Sequence, residues 1–364
     1  MFRFIKIIFI NLIFLILGII FVELIFGKWF GNNNFGSLII PKYSVTIINQ
    51  PYYDKNGTFI SSWDRNGFRA NTYALDEIDI LVIGGSTTAE RFIDNNHIWT
   101  KVFERHIKNK TNYKVLNAGI GGQTIYGHKN MFDLWFSKFP DLTPKYIMIY
   151  FGINDAIKIN ESIQRNLSNI VHENYSKIKA DNLLSVSFNN RIVQYIKNNS
   201  AIHLFYLIIR SAYISNKHQI NNPNGIKLFD SKSSKYISNV NEELEILSKE
   251  KKFIIKNYLP EYKKNIISVI NYSKKLSAEP ILITNILPID NGTSSYAKTL
   301  SSYLYLLNDT TMSVCYEQKI TCFDLRNKIN FIRSEDFYDP IHTTPSGSAK
   351  LGKKISELFI SSLK

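Results

Sequence analysis

The fold of this chain is decided by residues 79–88, which read DILVIGGSTT. Residues 80–83 form a short, wholly apolar run, and two glycines end it. Such a run predicts a strand buried on both faces, as the strands of parallel sheets are. The glycines and the hydroxyl residues after them predict a tight turn into a helix. A strand, turn and helix in this order indicate the α/β class.

Apolar runs of the same kind recur along the chain and alternate with segments of helical spacing. We expect strands at 80–83, 115–116, 146–150, 280–284 and, as the weakest of the five, 320–325. We expect helices at 98–107, in the stretch before Phe139, and at 346–363. Strands that alternate with helices predict parallel βαβ units in one open sheet.

The N-terminus has a different composition. From Phe4 to Phe26 the chain is almost wholly apolar, and about 20 such residues suffice for a helix that spans a bilayer. A cleaved signal peptide is the alternative, but residues 24–29 contain no Ala-x-Ala-like cleavage site. We therefore predict a single-pass membrane anchor over residues 1–30. Arg3 and Lys6 precede most of the apolar run, so the positive-inside rule places the rest of the chain outside the cytoplasm.

Three regions follow from these patterns. Residues 1–30 are the membrane anchor, residues 31–76 are a loop-rich lead-in segment with two Asn-Gly turns, and residues 77–364 are the α/β domain. A helical insertion interrupts the domain at about 160–249, too long a segment for one crossover. We expect helices in it at 189–197 and 203–209, and a polar loop at 221–234.

Composition excludes several classes of protein. The chain has 44 Lys and Arg against 30 Asp and Glu, a net charge of +14. Lysine, asparagine and isoleucine are abundant throughout, so this charge does not indicate nucleic-acid binding, and the basic stretch 249–275 is expected to be a solvated helix face. Two cysteines exclude a multi-cysteine metal domain. Cys315 and Cys322 are either a disulfide or two buried thiols.

The residues suited to chemistry follow the predicted strands. A hydroxyl comes after the first strand at 84–88, and a glycine-rich turn after the second at 117–124. The third strand leads into 152–155, Gly-Ile-Asn-Asp, and residues 339–342, Asp-Pro-Ile-His, precede the last helix. In an open parallel sheet, ligands bind outside the carboxyl ends of the strands, so we expect these segments to converge there.

Taken in this order, the four segments resemble the SGNH hydrolase family, also called the GDSL-type esterases and lipases. Ser86, Gly122, Asn154 and His342 occupy the positions of the family's four blocks, and Asp339 occupies that of its Asp. The resemblance covers about 79–154 and 280 to the end, and not the anchor or the insertion.

The resemblance implies a three-layer α/β/α sandwich of flavodoxin-like type. It also implies a catalytic triad of Ser86, His342 and Asp339, and an oxyanion hole formed by the amides of Ser86 and Gly122 and the side chain of Asn154. No cofactor or metal is implied. The sequence departs from the family at Gly85, where the family has Asp, and this departure weakens the first block.

By analogy with extracytoplasmic members of the family it resembles, the leading hypothesis is an anchored, extracytoplasmic esterase, in the periplasm or at the cell surface, that removes acyl groups, above all O-acetyl, from envelope carbohydrate. A lipid esterase or thioesterase, and an O-acyltransferase of the same fold, are alternatives. A glycan-binding or assembly protein is the non-enzyme alternative; the departure at Gly85 favours it, whereas the presence of all the expected catalytic groups opposes it. The insertion is expected to border the site and set its selectivity.

Overall fold

The structure is a computed structural model, and it describes residues 2–27, 29, 44–49, 58–164, 200–203, 205–206, 252–288 and 295–363. The chain divides into two compact units. The first unit comprises Met1–Ser37 and Lys177–Gln219, and the second comprises Leu38–Ser176 and Ile220–Lys364.

The first unit contains helix α1 (Phe2–Phe26). Its Arg3–Phe26 portion has 24 residues, and the mean hydropathy of its most apolar stretch is 2.9. At about 1.5 Å per residue it is about 36 Å long, and the hydrocarbon core of a bilayer is about 30 Å thick. The predicted apolar helix is therefore present and is long enough to span a membrane. Its role as an uncleaved anchor stays a prediction.

Near the end of α1, Glu23 accepts four hydrogen bonds. Trp29 donates through Nε1 at 2.9 Å and Ser200 through its hydroxyl at 2.6 Å. The backbone amides of Ala201 and Ile202 donate at 2.8 and 3.1 Å. The carboxylate thus satisfies the free amides at the start of a short helical segment of the insertion.

Most of the insertion lies outside the described residues. This holds for the helix predicted at 189–197, the loop predicted at 221–234 and most of the helix predicted at 203–209. Of the last, 203 and 205–206 are described and are helical. The expectation that the insertion borders the site therefore stays a prediction.

The second unit is built on a five-stranded parallel sheet. Its strands are β3 (Ile80–Gly84), β4 (Val115–Gly119), β5 (Tyr146–Phe151), β6 (Glu279–Thr284) and β7 (Thr321–Phe323). They lie in the order β4-β3-β5-β6-β7, every neighbouring pair parallel. This is the flavodoxin-like order. All five predicted strands are present, and the one predicted as weakest is the shortest.

The described residues of the lead-in segment, 44–49 and 58–76, include two strands that the sequence pattern does not predict. They are β1 (Ser44–Asn49) and β2 (Thr58–Trp63), which pair antiparallel from Ser44 opposite Trp63 to Asn49 opposite Thr58. The expectation of a loop-rich segment is therefore wrong for these twelve positions. Strands of six residues outside the main sheet carry no long apolar run, so their pairing leaves little trace in the hydropathy pattern.

Helices cover both faces of the parallel sheet. They are α2 (Ser86–Ala89), α3 (Trp99–Ile107), α4 (Ile125–Leu134), α5 (Ile153–Gln164), α6 (Leu259–Lys275), α7 (Ser295–Gln318), α8 (Arg333–Asp336) and α9 (Pro345–Ser362). Helices α3 and α9 pack together on one face, whereas α6 and α7 pack together on the other, with α4 against α6 and α5 against α7. The predicted three-layer α/β/α sandwich is confirmed.

Alternation along the strands divides the core between the two faces. Ile80 and Val82 of β3 belong to the cluster that includes Phe103 of α3 and Phe359 of α9. The rings of those two phenylalanines pack edge to face, 5.5 Å apart. Leu81 and Ile83, which alternate with Ile80 and Val82 in β3, are also fully buried, and because successive side chains point to opposite faces they pack in the other layer. Burial on both faces explains why β3 is apolar throughout.

Cys315 and Cys322 form a disulfide, with their Cα atoms 6.2 Å apart. Cys315 lies near the end of α7, and Cys322 lies in β7, so the bond closes the reversal between them. Of the two alternatives open from the sequence, the structure shows the disulfide.

This bond yields a prediction about stability. Replacing both cysteines by alanine, Cys315→Ala with Cys322→Ala, should lower the free energy of unfolding by about 2–3 kcal/mol, the chain-entropy effect of a closure this short. Urea denaturation of the purified protein measures it. Reducing the wild-type protein should lower its stability by a similar amount and leave the variant unaffected. A variant as stable as the oxidised wild type would contradict the prediction.

Candidate active site

The site forms where three neighbouring strands end at one level. The parallel register places Gly84, at the end of β3, opposite Gly119 of β4 and Tyr150 of β5. The strand order reverses at β3, because β4 and β5 lie on its two sides. The loops after these strands therefore open around a crevice, the place where open α/β sheets bind their ligands.

Ser86 lies in this crevice at the first position of α2. Gly85 precedes it in an extended conformation, so the chain turns sharply from strand to helix at this point. The Ser86 hydroxyl and His342 Nε2 are 2.8 Å apart, a hydrogen-bond distance. The serine therefore has a base in direct contact, although 256 positions separate the two residues in the chain.

The other ring nitrogen of His342 faces Asp339. Nδ1 lies 2.6 Å from Asp339 Oδ2. A carboxylate can only accept, so Nδ1 carries the proton and Nε2 accepts from Ser86. Asp339 Oδ1 accepts from the amides of Ile341 and His342 at 2.8 and 2.7 Å. Partial burial would raise the pKa of Asp339, but the hydrogen bonds and charge of His342 hold it below its usual range.

The glycine-rich turn after β4 approaches the serine. A Cβ atom built on Gly121 would lie 3.9 Å from Ser86 Cβ, in ordinary contact. Gly122 has a φ of +75°, a left-handed conformation that glycine adopts without strain. Asn154 follows β5 and donates from Nδ2 to the carbonyl of Gln123 at 3.0 Å. This bond joins the loops after β4 and β5 beside Ser86.

The departure at Gly85 has a physical cause in this geometry. A Cβ atom at position 85 would lie 2.4 Å from Asn154 Nδ2, well inside van der Waals contact. Only glycine leaves the amide of Asn154 where it is. Gly85, the atypical residue of the first block, therefore leaves the space that the Asn154 side chain occupies.

Asp155 does not face the crevice. Its side chain hydrogen-bonds the segment that follows the glycine-rich turn. It is fully buried and accepts from the amide of Ile125 at 3.2 Å and the hydroxyl of Tyr258 at 2.9 Å. Burial raises the pKa of Asp155 to about 7, although both bonds favour the carboxylate. It holds the start of α4, and with it the preceding glycine-rich turn.

Glu90 is a buried carboxyl that the sequence did not single out. It follows α2 in a left-handed conformation, φ 43°. Its oxygens accept from the amide of Trp99 at 2.6 Å and from the hydroxyls of Thr343 and Ser348 at 2.8 and 3.0 Å. Thr343 follows His342 directly, so Glu90 ties the serine helix to the histidine loop. Burial raises the pKa of Glu90 to about 8.

Arg69, from the lead-in segment, hydrogen-bonds the backbone at the end of α2. It is fully buried and donates to the carbonyls of Ala89 at 2.9 Å and Ile93 at 2.6 Å. It also hydrogen-bonds the Asn95 side chain. These bonds satisfy carbonyls at and beyond the end of α2, where the helix stops after four residues. The sequence gives no signal for this role of Arg69, because hydropathy predicts that an arginine is exposed.

Aromatic rings stand beside the histidine. The ring of Tyr338 stacks on that of His342, with centroids 5.7 Å apart and planes 8° apart. Phe92 meets Tyr338 edge to face, with centroids 6.2 Å apart, and is 43% exposed to solvent. We define the aromatic wall as Phe92 and Tyr338. Neither residue was predicted to belong to the site.

The groups brought together are those of nucleophilic catalysis: a hydroxyl, an imidazole that accepts its hydrogen bond, and a carboxylate that accepts from the other ring nitrogen. Across the residues that the structure describes, no group of three or more His, Cys, Asp or Glu side chains is arranged to hold a metal ion.

Comparison with known proteins identifies relatives. The profile of the family described as GDSL-like Lipase/Acylhydrolase matches residues 80–355. No curated protein matches significantly. Among solved structures, the psychrotrophic esterase EstA from Pseudoalteromonas sp. is 11% identical with a TM-score of 0.41, over 78% of this chain and 98% of that one. A catalytic mutant of the acetylxylan esterase Axe2 from Geobacillus stearothermophilus is 12% identical with a TM-score of 0.41, over 77% and 93%. A member of the lipolytic protein G-D-S-L family from Veillonella parvula is 12% identical with a TM-score of 0.42, over 78% and 98%.

The buried carboxyl of Glu90 predicts how stability depends on pH. The folded protein holds a proton up to about pH 8 that an unfolded Glu releases near pH 4.5. The free energy of unfolding should therefore fall as pH rises through this window, by up to about 1.4 kcal/mol per pH unit. Glu90→Gln should flatten this slope. It will not abolish it, because Asp155 contributes in the same direction.

Urea denaturation at pH 5, 6, 7 and 8 measures the slope. Glu77→Gln is the matched control, because its exposed carboxylate has a pKa lowered by a hydrogen bond from Lys114 and is fully ionised over this range. The control should keep the wild-type slope. Equal slopes for wild type and Glu90→Gln would show that Glu90 is ionised in the folded protein throughout.

Proposed function

The chain belongs to the GDSL-like lipase and acylhydrolase family of ester-hydrolysing enzymes, and we propose that its reaction is carried by Ser86, His342 and Asp339 as a catalytic triad. The observation that carries this proposal is the continuous hydrogen-bonded chain from the Ser86 hydroxyl through both ring nitrogens of His342 to Asp339. A serine hydroxyl is a weak nucleophile until a neighbouring base accepts its proton, and this chain provides the base.

In the acylation step, Ser86 Oγ attacks the ester carbonyl carbon while its proton passes to His342 Nε2. Asp339 holds the imidazole in the required tautomer and stabilises the imidazolium. The imidazolium then gives the proton to the oxygen of the leaving alcohol as the carbon–oxygen bond breaks. Water repeats the sequence on the acyl-serine and releases the acid, which restores the free serine.

The negative oxygen of the tetrahedral intermediate needs hydrogen-bond donors on the side of the site away from His342. We assign these to the amides of Ser86 and Gly122 and to Asn154 Nδ2. A side-chain amide nitrogen has two N–H groups, and one of those on Asn154 is used by Gln123, so one remains for the oxyanion. Donors fixed before the reaction stabilise the developing charge without reorganisation.

For the substrate, we propose acyl esters of envelope carbohydrate, with O-acetyl as the acyl group. Helix α1 serves in this proposal as a single-pass anchor that holds the enzyme outside the cytoplasm, in the periplasm or at the cell surface. The length and hydropathy of α1 support the anchor. The disulfide supports the compartment, because disulfides persist in oxidising environments.

Substitutions in the triad test the activity directly. Ser86→Ala and His342→Ala should remove nearly all hydrolysis of a small acetyl ester. Asn154→Ala should lower kcat by about 10²–10³ and Asp339→Asn should impair it through the wrong histidine tautomer. Initial rates with the purified protein, and circular dichroism to verify folding, are the measurements. A folded Ser86→Ala variant with wild-type activity would end the proposal.

Position 85 gives a second test, because it separates this chain from its family. Gly85→Asp restores the family residue but inserts a side chain into the place of Asn154 Nδ2. We expect it to lower kcat at least tenfold, with the displaced oxyanion donor as the cause. Gly85→Ala should act in the same direction. A rise in kcat for Gly85→Asp would contradict the steric explanation.

Topology is tested independently of the chemistry. A C-terminal fusion to alkaline phosphatase should be active in intact cells, and a C-terminal fluorescent protein that matures only in the cytoplasm should be dark. The full-length protein should fractionate with membranes and keep residues 1–30, as shown by mass spectrometry of its N-terminal peptide. A C-terminus in the cytoplasm would overturn the extracytoplasmic proposal and leave the esterase assignment unaffected.

A further inference from the structure

The aromatic wall of Phe92 and Tyr338 lies on one particular side of the reacting atoms. Tyr338 directly precedes Asp339 and covers a face of the His342 ring. Phe92 follows the serine helix, packs edge to face against Tyr338 and is 43% exposed to solvent. The glycine-rich turn and Asn154 come from the loops after β4 and β5 instead.

Proton transfer decides which part of an ester meets the wall. The carbon attacked by Ser86 carries three groups: the oxyanion, the acyl chain and the alkoxy oxygen of the alcohol. The oxyanion is directed to the donors of Gly122 and Asn154. The alkoxy oxygen must approach His342 Nε2, because that nitrogen delivers its proton. The alcohol, and not the acyl chain, therefore extends along the histidine side.

The shape of the wall favours a ring-shaped alcohol. The rings of Phe92 and Tyr338 stand at 85° to each other, and the exposed ring of Phe92 provides the apolar surface that a ligand can contact. A pyranose ring has a flat apolar face of C–H groups that can cover an aromatic face, and hydroxyls at its rim that need polar partners.

We propose that Phe92 and Tyr338 are specificity-determining residues that hold the sugar ring of the substrate on the alcohol side of the scissile bond. This inference rests on the proposed esterase function and deepens it. The wall selects the alcohol, whereas the acyl group is accommodated elsewhere. An esterase for long-chain lipids would need the reverse arrangement, with apolar surface along the acyl chain.

The test varies one part of the ester at a time, with the full-length protein in detergent. Methyl glucopyranoside 6-acetate and hexyl acetate share an acyl group and differ in the alcohol. Hexyl acetate and hexyl butyrate share an alcohol and differ in the acyl group. The readouts are the two ratios of kcat/KM, together with the separate kcat and KM values.

Phe92→Ala should lower the sugar-over-hexyl ratio about tenfold, mainly through a higher KM for the sugar ester. Phe92→Leu should lower it too, since leucine keeps apolar bulk but has no ring face, and Phe92→Trp should preserve it. The acetate-over-butyrate ratio should stay within about twofold. Tyr316→Ala is the matched control: Tyr316 is an aromatic residue, 88% exposed, near the end of α7, which leads into the edge strand β7 rather than into the site.

Each outcome decides the question. An unchanged alcohol ratio in a folded Phe92→Ala protein would overturn the inference. A changed acyl ratio with an unchanged alcohol ratio would assign the wall to the acyl chain and overturn it as well. If the wild-type protein hydrolyses none of the three esters, the proposed function itself fails, so the two failures are distinguishable.

Discussion

The parallel register of three strands is the constraint on which the site depends. Because β3, β4 and β5 end at one level, a hydroxyl, a glycine-rich turn and a side-chain amide emerge side by side without any long loop. A shift of β4 by one residue relative to β3 would exchange the faces of its side chains and carry its glycines away from Ser86. Burial of both faces of β3 opposes such a shift, since every side chain in that strand packs in the core. The packing that stabilises the fold thus also fixes the geometry of the site.

Buried polar groups extend that control to parts of the site that are distant in sequence. Glu90 connects the turn after α2 with the start of α9, and Arg69 connects the lead-in segment with the end of α2. A buried polar group is costly unless it is well hydrogen-bonded, so such groups accept few alternative arrangements. The serine helix is a single turn and has little stability of its own. Its position is determined by these surrounding bonds.

The sequence predicted the fold because apolar runs are local patterns, and the candidate residues for the site were found from short motifs that follow these runs. Apolar runs mark buried strands, and Ser86, Gly122 and Asn154 follow those runs directly. The supporting residues could not be found in this way. Glu90 bonds Thr343, 253 positions away, and the wall brings Phe92 against Tyr338, so neither contact has a local signature. Antiparallel pairing of β1 with β2 was missed for a similar reason, since two short strands satisfy each other's backbone without a continuous apolar pattern. The sequence shows that Gly85 departs from the family pattern, but only the distance to Asn154 explains why glycine stands there.

The separation of 256 positions between Ser86 and His342 has a consequence for biosynthesis. A ribosome makes the serine helix early, but the loop that carries the histidine emerges only after β7. Helix α9, which completes one layer of the core against α3, comes later still. The nascent polypeptide therefore has an unactivated hydroxyl for most of its synthesis. The histidine that activates the serine is synthesised just before the helix that completes the core. A prematurely terminated product therefore lacks both activity and complete packing. Such a product is a substrate for proteolytic quality control.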